Sequence, residues 1–405
     1  MKYKIRIFRL YLKTIRIVKN NKFVVLFSLC NVIILLVLSY FLNNQPLFTG
    51  EDLDQYAWME WLKDGVGISK EVDTDEALFI NVAYDKQVVD KYDDYGMPIG
   101  NTDITDRTKL LSLLQLLHKT GSYKYIILDV RFEKGYNVPD VDSALFAEIL
   151  SMKDIVIANH SDIELADKSL EKKAAISDYF ATITKTNFAR YQYRQEGKES
   201  VPLYVYHELT GNTIDKFGWF YVCNKRLCYN SLFVHFPIVK WTEYDDQQAK
   251  LYYNLGSDVL ENYSEDDIRT LTKGKYIVIG DMVEDVHDTY SGLKPGSVIT
   301  YYSLQELMKG RHFVNYGMIL FMAVLFFLIS MSLFETKSIL RRIPFIRNSH
   351  SRLLHFLLDF VEYTLILALS MIIIYVLFGI ATSIVLPSTC FAIQKSIIHY
   401  KRIKV

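Results

Sequence analysis

Residues 23–42 read FVVLFSLCNVIILLVLSYFL, twenty residues with no charge and a single amide, Asn31. As a helix rising 1.5 Å per residue, such a run matches a hydrocarbon core of about 30 Å. It constrains the chain strongly, because a segment inside lipid must satisfy its backbone hydrogen bonds internally. Residues 1–22, ahead of it, carry eight Lys/Arg and no acid. The apolar run is longer than a secretory h-region, and Asn43-Asn44-Gln45-Pro46 is not a small-residue cleavage site. The reading is an uncleaved transmembrane helix preceded by a basic cytoplasmic segment. That segment, with Arg9, Lys13 and Arg16 among apolar residues, also has the pattern of a surface-lying amphipathic helix.

Three further apolar runs follow, at 316–334, 357–378 and 380–397. The last is the weakest, interrupted by Pro387, Ser388 and Thr389. Residues 335–354 hold Lys337, Arg341, Arg342, Arg347 and Arg352 against one acid, Glu335, and the tail 398–405 holds Lys401, Arg402 and Lys404. Basic loops stay in the cytoplasm. The expected protein is therefore multi-pass, with both ends and 335–354 inside and 43–315 outside. The third and fourth runs form a hairpin around Gly379; the alternative leaves the last segment lying in the interface. Asp359 and Glu362, at the start of the third run, read as interfacial acids near basic neighbours, with an intramembrane ion path as the rival.

Half of the residues are hydrophobic, and 46 basic side chains balance 46 acidic ones. A disordered chain is excluded. A general nucleic-acid binder is not expected either, since it needs a basic surface. Of the four cysteines, Cys30 and Cys390 fall in apolar runs. Cys223 and Cys228 flank the polar stretch NKRL between two β-rich runs. They are expected to face each other across a hairpin and to form a disulfide, which persists outside the cytoplasm. A zinc site is the weaker alternative, with only His235 nearby.

The block 43–315 alternates. Strands are expected at 77–84, 123–130, 154–160 and 273–281, and helices at 51–64, 103–121, 140–152 and 295–310. Asp103 or Asp106 serves as an N-cap, Gly121 as a stop and Pro295 as a start. Short apolar strands alternating with helices predict an α/β domain with a mostly parallel sheet. Residues 165–262, rich in Tyr, Phe and Val, read as a β-rich insertion. The fold class is thus an α/β extracytoplasmic domain plus an α-helical transmembrane bundle.

Asp85, Asp129 and Asp281 follow or end strands, and Asp285, His287 and Asp288 crowd the loop GDMVEDVHDTYSGLKPG (280–296). Open α/β sheets bind ligands beyond the carboxyl ends of their strands. These six residues are the candidate ligand-binding set. Their oxygens suit a hard cation or a cationic small molecule, and whether a metal is involved stays open. The rival reading has acids capping helices and ordering loops. No GxSxG, HExxH or Walker A motif occurs, so no catalytic residues and no cofactor are expected.

Three stretches carry a resemblance: LFINVAYDKQ (78–87), YIILDVRFEKGYNVPDVDSALFAEIL (125–150) and GKYIVIGDMVEDVHDTYSGLKPGSVITYYSLQELMKG (274–310). Together with one apolar run before the block and about three after it, they resemble the CHASE2 domain, an extracytoplasmic sensory module of bacterial signalling proteins. The resemblance implies a bacterial cytoplasmic-membrane protein. Members of that family usually continue into a kinase or cyclase domain; here only ten residues follow Lys395. The expectation is a non-enzymatic receptor acting through a separate, unidentified protein partner, with a homo-oligomer compatible though no GxxxG supports one. The alternatives are a structural or accessory subunit of an envelope complex and a metal-assisted envelope hydrolase.

Overall fold

A computed structural model describes residues 22–44, 76–92, 95, 97–136, 138–178, 188, 190–236, 241–244, 250–334, 352–380 and 384–403. The expected helix 51–64, most of the basic N-terminal segment and nearly all of the basic loop 335–354 lie outside these residues. The chain divides into two compact units, one of residues 46–313 and one of 1–45 with 314–405.

In the unit formed by the chain's two ends, α1 spans Lys22–Asn43. In the other unit, β1 (Ala77–Asn81) is followed by a hairpin of β2 (Lys86–Tyr92) and β3 (Pro98–Thr105), then α2 (Arg107–Thr120), β4 (Tyr125–Asp129), α3 (Pro139–Ser151), β5 (Ile155–Asn159) and β6 (Ala174–Ile176). Next come β7 (Arg190–Gln192), β8 (Arg194–Gln195), β9 (Lys198–Glu199), α4 (Val201–Thr210), β10 (Ile214–Phe217), β11 (Phe220–Cys223), β12 (Arg226–Cys228) and β13 (Ser231–Phe233). The unit closes with β14 (Tyr253–Asn254), a π-helical turn at Leu255–Leu260, α5 (Glu265–Thr272), β15 (Tyr276–Gly280), β16 (Val286–Thr289), β17 (Gly292–Pro295) and α6 (Gly296–Met308). After it, α7 (Tyr316–Ser332), α8 (Arg352–Phe378) and α9 (Val385–Ile403) return to the first unit.

The main sheet has six parallel strands in the order β14-β1-β15-β4-β5-β6. Every residue of β1 and β15 is buried, as expected of a parallel sheet covered on both faces. On one face Leu78, Ile80, Ile126, Leu128, Ile155, Ile157, Ile277 and Ile279 pack with Leu110, Leu113, Leu114 and Leu117 of α2, Leu145 and Ile149 of α3 and Ile268 of α5. On the other face Tyr301 of α6 meets Phe79 and Tyr276 edge-on, with ring centres 5.4 and 5.8 Å apart. Each such fully buried side chain contributes roughly 1.5–3 kcal/mol.

Helix α2 starts where Asp106 accepts from the Thr108 and Lys109 amides and stops at Gly121 in the left-handed region. Asp106 is therefore the cap, and Asp103 lies in β3 opposite Val88. The expected helix over 103–121 loses its first turn to the β2–β3 hairpin, and the strand expected over 77–84 ends at Asn81. The insertion contains several small antiparallel sheets and also the helix α4, which carries Pro202 in its first turn and ends at Gly211.

The expected disulfide is not formed in this structure, and the side chains of Cys223 and Cys228 are both buried. Asn224 and Lys225 both take positive φ, 48° and 62°, so the hairpin closes on a two-residue turn rather than on all of NKRL. Cys223 then stands opposite Arg226, and Cys228 opposite Tyr221. The two thiols are diagonal neighbours rather than a facing pair. Burial, the largest cause for each, raises the pKa of both.

In the unit of the chain ends, α1 and α8 are long and apolar enough to cross a bilayer, and Tyr316–Ser332 and Val385–Ile398 are shorter apolar helices. Pro387 sits in the first turn of α9, where a missing amide donor costs nothing. Gly379, φ 66°, closes α8 by donating its amide to Tyr375. Helix α9 packs against α8 through Tyr363 and Phe391, with Phe391 also meeting Phe326 of α7.

Some polar groups inside this unit pair across helices. The Asn31 amide donates to Ser330 Oγ at 2.8 Å and to Gln394 Oε1 at 3.0 Å, and Gln394 returns a bond to Asn31 Oδ1 at 2.7 Å. Next to Gln394, Lys395 pairs with Asp359 and lies 5.2 Å from the centre of the Tyr363 ring.

Candidate functional site

The last rung of the main sheet is polar. Asn254, Asn81, Gly280 and Asp129 stand in register across β14, β1, β15 and β4. Asn81 is fully buried. Its Oδ1 accepts from the Ala83 and Met282 amides, both at 3.0 Å, and its Nδ2 donates to Asn254. It thus holds the loops that leave β1 and β15. Gly280 is required by close approach: a Cβ there would lie 2.8 Å from Ser297 Cβ and 3.3 Å from Asp129 Cβ. The rung therefore abuts the first turn of α6.

Over this rung folds the β16–β17 hairpin, with His287 opposite Lys294. His287 Nε2 lies 3.3 Å from Asp285 Oδ1, both side chains being partly exposed. The Asp285 carbonyl accepts from the Gly296 amide at 2.9 Å. A Cβ on Gly296 would come within 2.6 Å of Asp285 Oδ2 and 3.3 Å of His287 Nε2. The Asp285–His287 pair is thus laid across the N-terminus of α6, where the helix dipole favours a carboxylate.

Charges at this strand end feel one another. The Asp129 pKa is raised to about 7, first by withdrawal from water and then by Asp285 and Asp281, with His287 opposing them. The bond to Asp285 is the main cause that raises the His287 pKa, and burial works against it. Burial would also raise Asp281, but amide bonds from Glu284 and Val283 and the Lys86 ammonium at 2.9 Å outweigh it, leaving its pKa low. Lys294 is wholly buried, and burial lowers its pKa to about 8.

Of the six residues expected from the sequence, Asp129, Asp281, Asp285 and His287 come together. Asp85 does not join them. Its carboxylate is buried between Lys109 of α2, 2.6 Å away, and the Gly256 amide, 3.0 Å away, and it ties the π-helical turn to α2. Asp288 is exposed and alternates with His287 along β16, its backbone carbonyl accepting from Phe188. Sequence reasoning misses Asn81, Lys86 and Lys294. Lys86 adjoins an acid already singled out, whereas nothing local marks Lys294 as buried.

Among the described residues, no group of three or more His, Cys, Asp or Glu is close enough to hold a metal ion. The arrangement offers instead a half-buried carboxylate, an acid–imidazole pair and a helix N-terminus, groups whose chemistry suits proton exchange and polar contacts. Comparisons with protein-family models, with curated proteins and with solved structures find no match.

Proposed function

We propose that this chain is an integral membrane sensory protein of a bacterial cytoplasmic membrane. In this reading a CHASE2-like domain outside the cytoplasm detects an envelope signal, and a separate protein partner carries the output. The observation that carries it is the convergence of Asp129, Asp281, Asp285 and His287 at the carboxyl ends of the two central parallel strands. Open α/β sheets place their ligands there. Helix α6 begins at this cluster, and the chain leads from its end at Met308 to α7 at Tyr316. The four apolar helices as membrane spans complete the reading, and the cross-helix polar contacts of Asn31 and Lys395 give them a way to move as one body.

The test uses the full chain in mild detergent. Thermal stability is followed against a panel of envelope-derived ions and small molecules, with Asp129→Asn alongside, since a ligand that binds the folded state raises the midpoint. A ligand-dependent rise in the parent that is lost in Asp129→Asn supports sensing. No rise with any of them, together with a constant set of co-purifying structural proteins, favours an accessory subunit. The structural employment of Asp85, which orders α2 rather than a ligand, supports that second reading.

A further inference from the structure

We propose that the signal read at this strand end is the proton concentration outside the membrane: protonation of the Asp129–Asp285–His287 cluster holds the β16–β17 hairpin down on the β4 terminus and the start of α6, and deprotonation loosens it. This rests on the sensory reading and specifies its ligand.

The geometry carries the argument. The hairpin meets the start of α6, beside the strand ends where like charges lie. Asp129 ends β4, Asp281 follows β15, and Asp285 leads into β16. Against these carboxylates stand basic groups of different kinds. Lys86 reaches Asp281 at 2.9 Å and Glu284 at 3.7 Å, and so is already committed. His287 faces Asp285 and is charged only when protonated. Lys294, opposite His287, is buried. From the insertion Tyr191 approaches; burial and the Asp129 charge keep its phenol protonated. At the neighbouring end of β5, His160 is occupied by Asp178, 3.2 Å away. At high pH the cluster therefore carries excess negative charge beneath the hairpin. A proton taken up relieves it.

The sign follows from the shifts. Asp129 is raised to about 7, so its protonated form is the one the folded site favours. The resulting penalty is absent below the ordinary carboxylate range and grows as pH rises to about 7. His287 is also raised, so its contribution is full below the ordinary imidazole value and is lost as pH rises through the folded one. Both make acidification tighten the hairpin. Lys294 within the hairpin works the other way, because burial lowers its pKa to about 8 and charging it costs stability as pH falls toward that value, a cost nearly complete by pH 8. His312 opposes them globally, because burial lowers its pKa to about 4 and charging it costs stability as pH falls below 6.5. A local measurement is therefore needed.

The experiment is hydrogen exchange of the full chain in lipid nanodiscs at pH 5 and pH 8, corrected for intrinsic exchange and read on peptides covering 281–296. Exchange in the parent is expected to be about tenfold or more slower at pH 5, the scale of one pKa unit. In Asp129→Asn, which mimics the protonated acid, the hairpin should be protected at both values. His287→Gln should reduce the pH effect and serves if Asp129→Asn fails to fold. Equal protection at both values in the parent overturns the proposal, as does an unaltered pH dependence in a folded Asp129→Asn or His287→Gln chain. If the hairpin does not respond while a small molecule stabilises the parent only, proton sensing falls and the sensory reading stands. If the hairpin responds while co-purifying partners are the same at both pH values, the proton site stands and the sensory reading falls.

Discussion

Asp359 of α8 and Lys395 of α9 approach to 3.3 Å, with 1% and 3% of their side chains exposed. An unpaired charge inside a packed unit is costly, so each residue relies on the other to remain buried there. Asp359→Ala should therefore cost about 3–5 kcal/mol by stranding the ammonium. Exchanging the two, Asp359→Lys with Lys395→Asp, should recover most of the loss. Thermal unfolding of the purified chain checks both, and an alanine variant as stable as the parent would show that the pair holds nothing.

At Gly280 the prediction is steric. An added methyl meets Ser297 Cβ at 2.8 Å, an atom fixed to the backbone of α6. Gly280→Ala should destabilise the chain by about 1–3 kcal/mol, the usual cost of overpacking. Gly296→Ala differs, because its methyl meets the movable end of Asp285. It should alter the pH response of the hairpin more than the unfolding midpoint. Comparing the two midpoints decides.

Asp85→Ala should destabilise without touching that response. It removes the acceptor of the buried Gly256 amide and the partner of Lys109, a loss of about 1–3 kcal/mol for the stranded donor. A changed pH response of the hairpin in this variant would show that Asp85 belongs to the site after all.

Cys223 and Cys228 should both react with an alkylating reagent in denaturant without reductant, giving the same mass shift as after reduction. In the native chain they should react slowly, because burial disfavours the thiolate. A mass deficit of two labels, restored by reductant, would mean that the hairpin accommodates a diagonal bridge.

The parallel sheet is legible because β1, β4, β5 and β15 are unbroken apolar runs between helices, so Asp129 and Asp281 can be placed at strand ends from the chain alone. Asp85 is misplaced because the β2–β3 hairpin intervenes. Its strands KQVVDKY and PIGNTDIT are polar and exposed, with little of the alternation that marks a strand. Helix α4 hides behind the Val and Tyr of VPLYVYHELT, residues that favour strands, although Pro202 and Gly211 are ordinary helix punctuation. The cysteine pairing fails by a register, since two left-handed residues shorten a turn that reads as four. The Asp359–Lys395 pair brings together residues of two separate helices, so neither sequence neighbourhood shows it.

The amide exchange between Asn31 and Gln394 spans 363 positions, and even the nearer bond to Ser330 spans 299. At about 5–20 residues per second, α1 waits on the order of twenty seconds to a minute before either partner has been made. During that interval Asn31 lacks both partners, and lipid, an insertion factor or another copy of the helix is what it can meet. The newborn helix is therefore exposed to pairing with the wrong neighbour for most of the chain's synthesis, and arrival of the last helix ends that exposure.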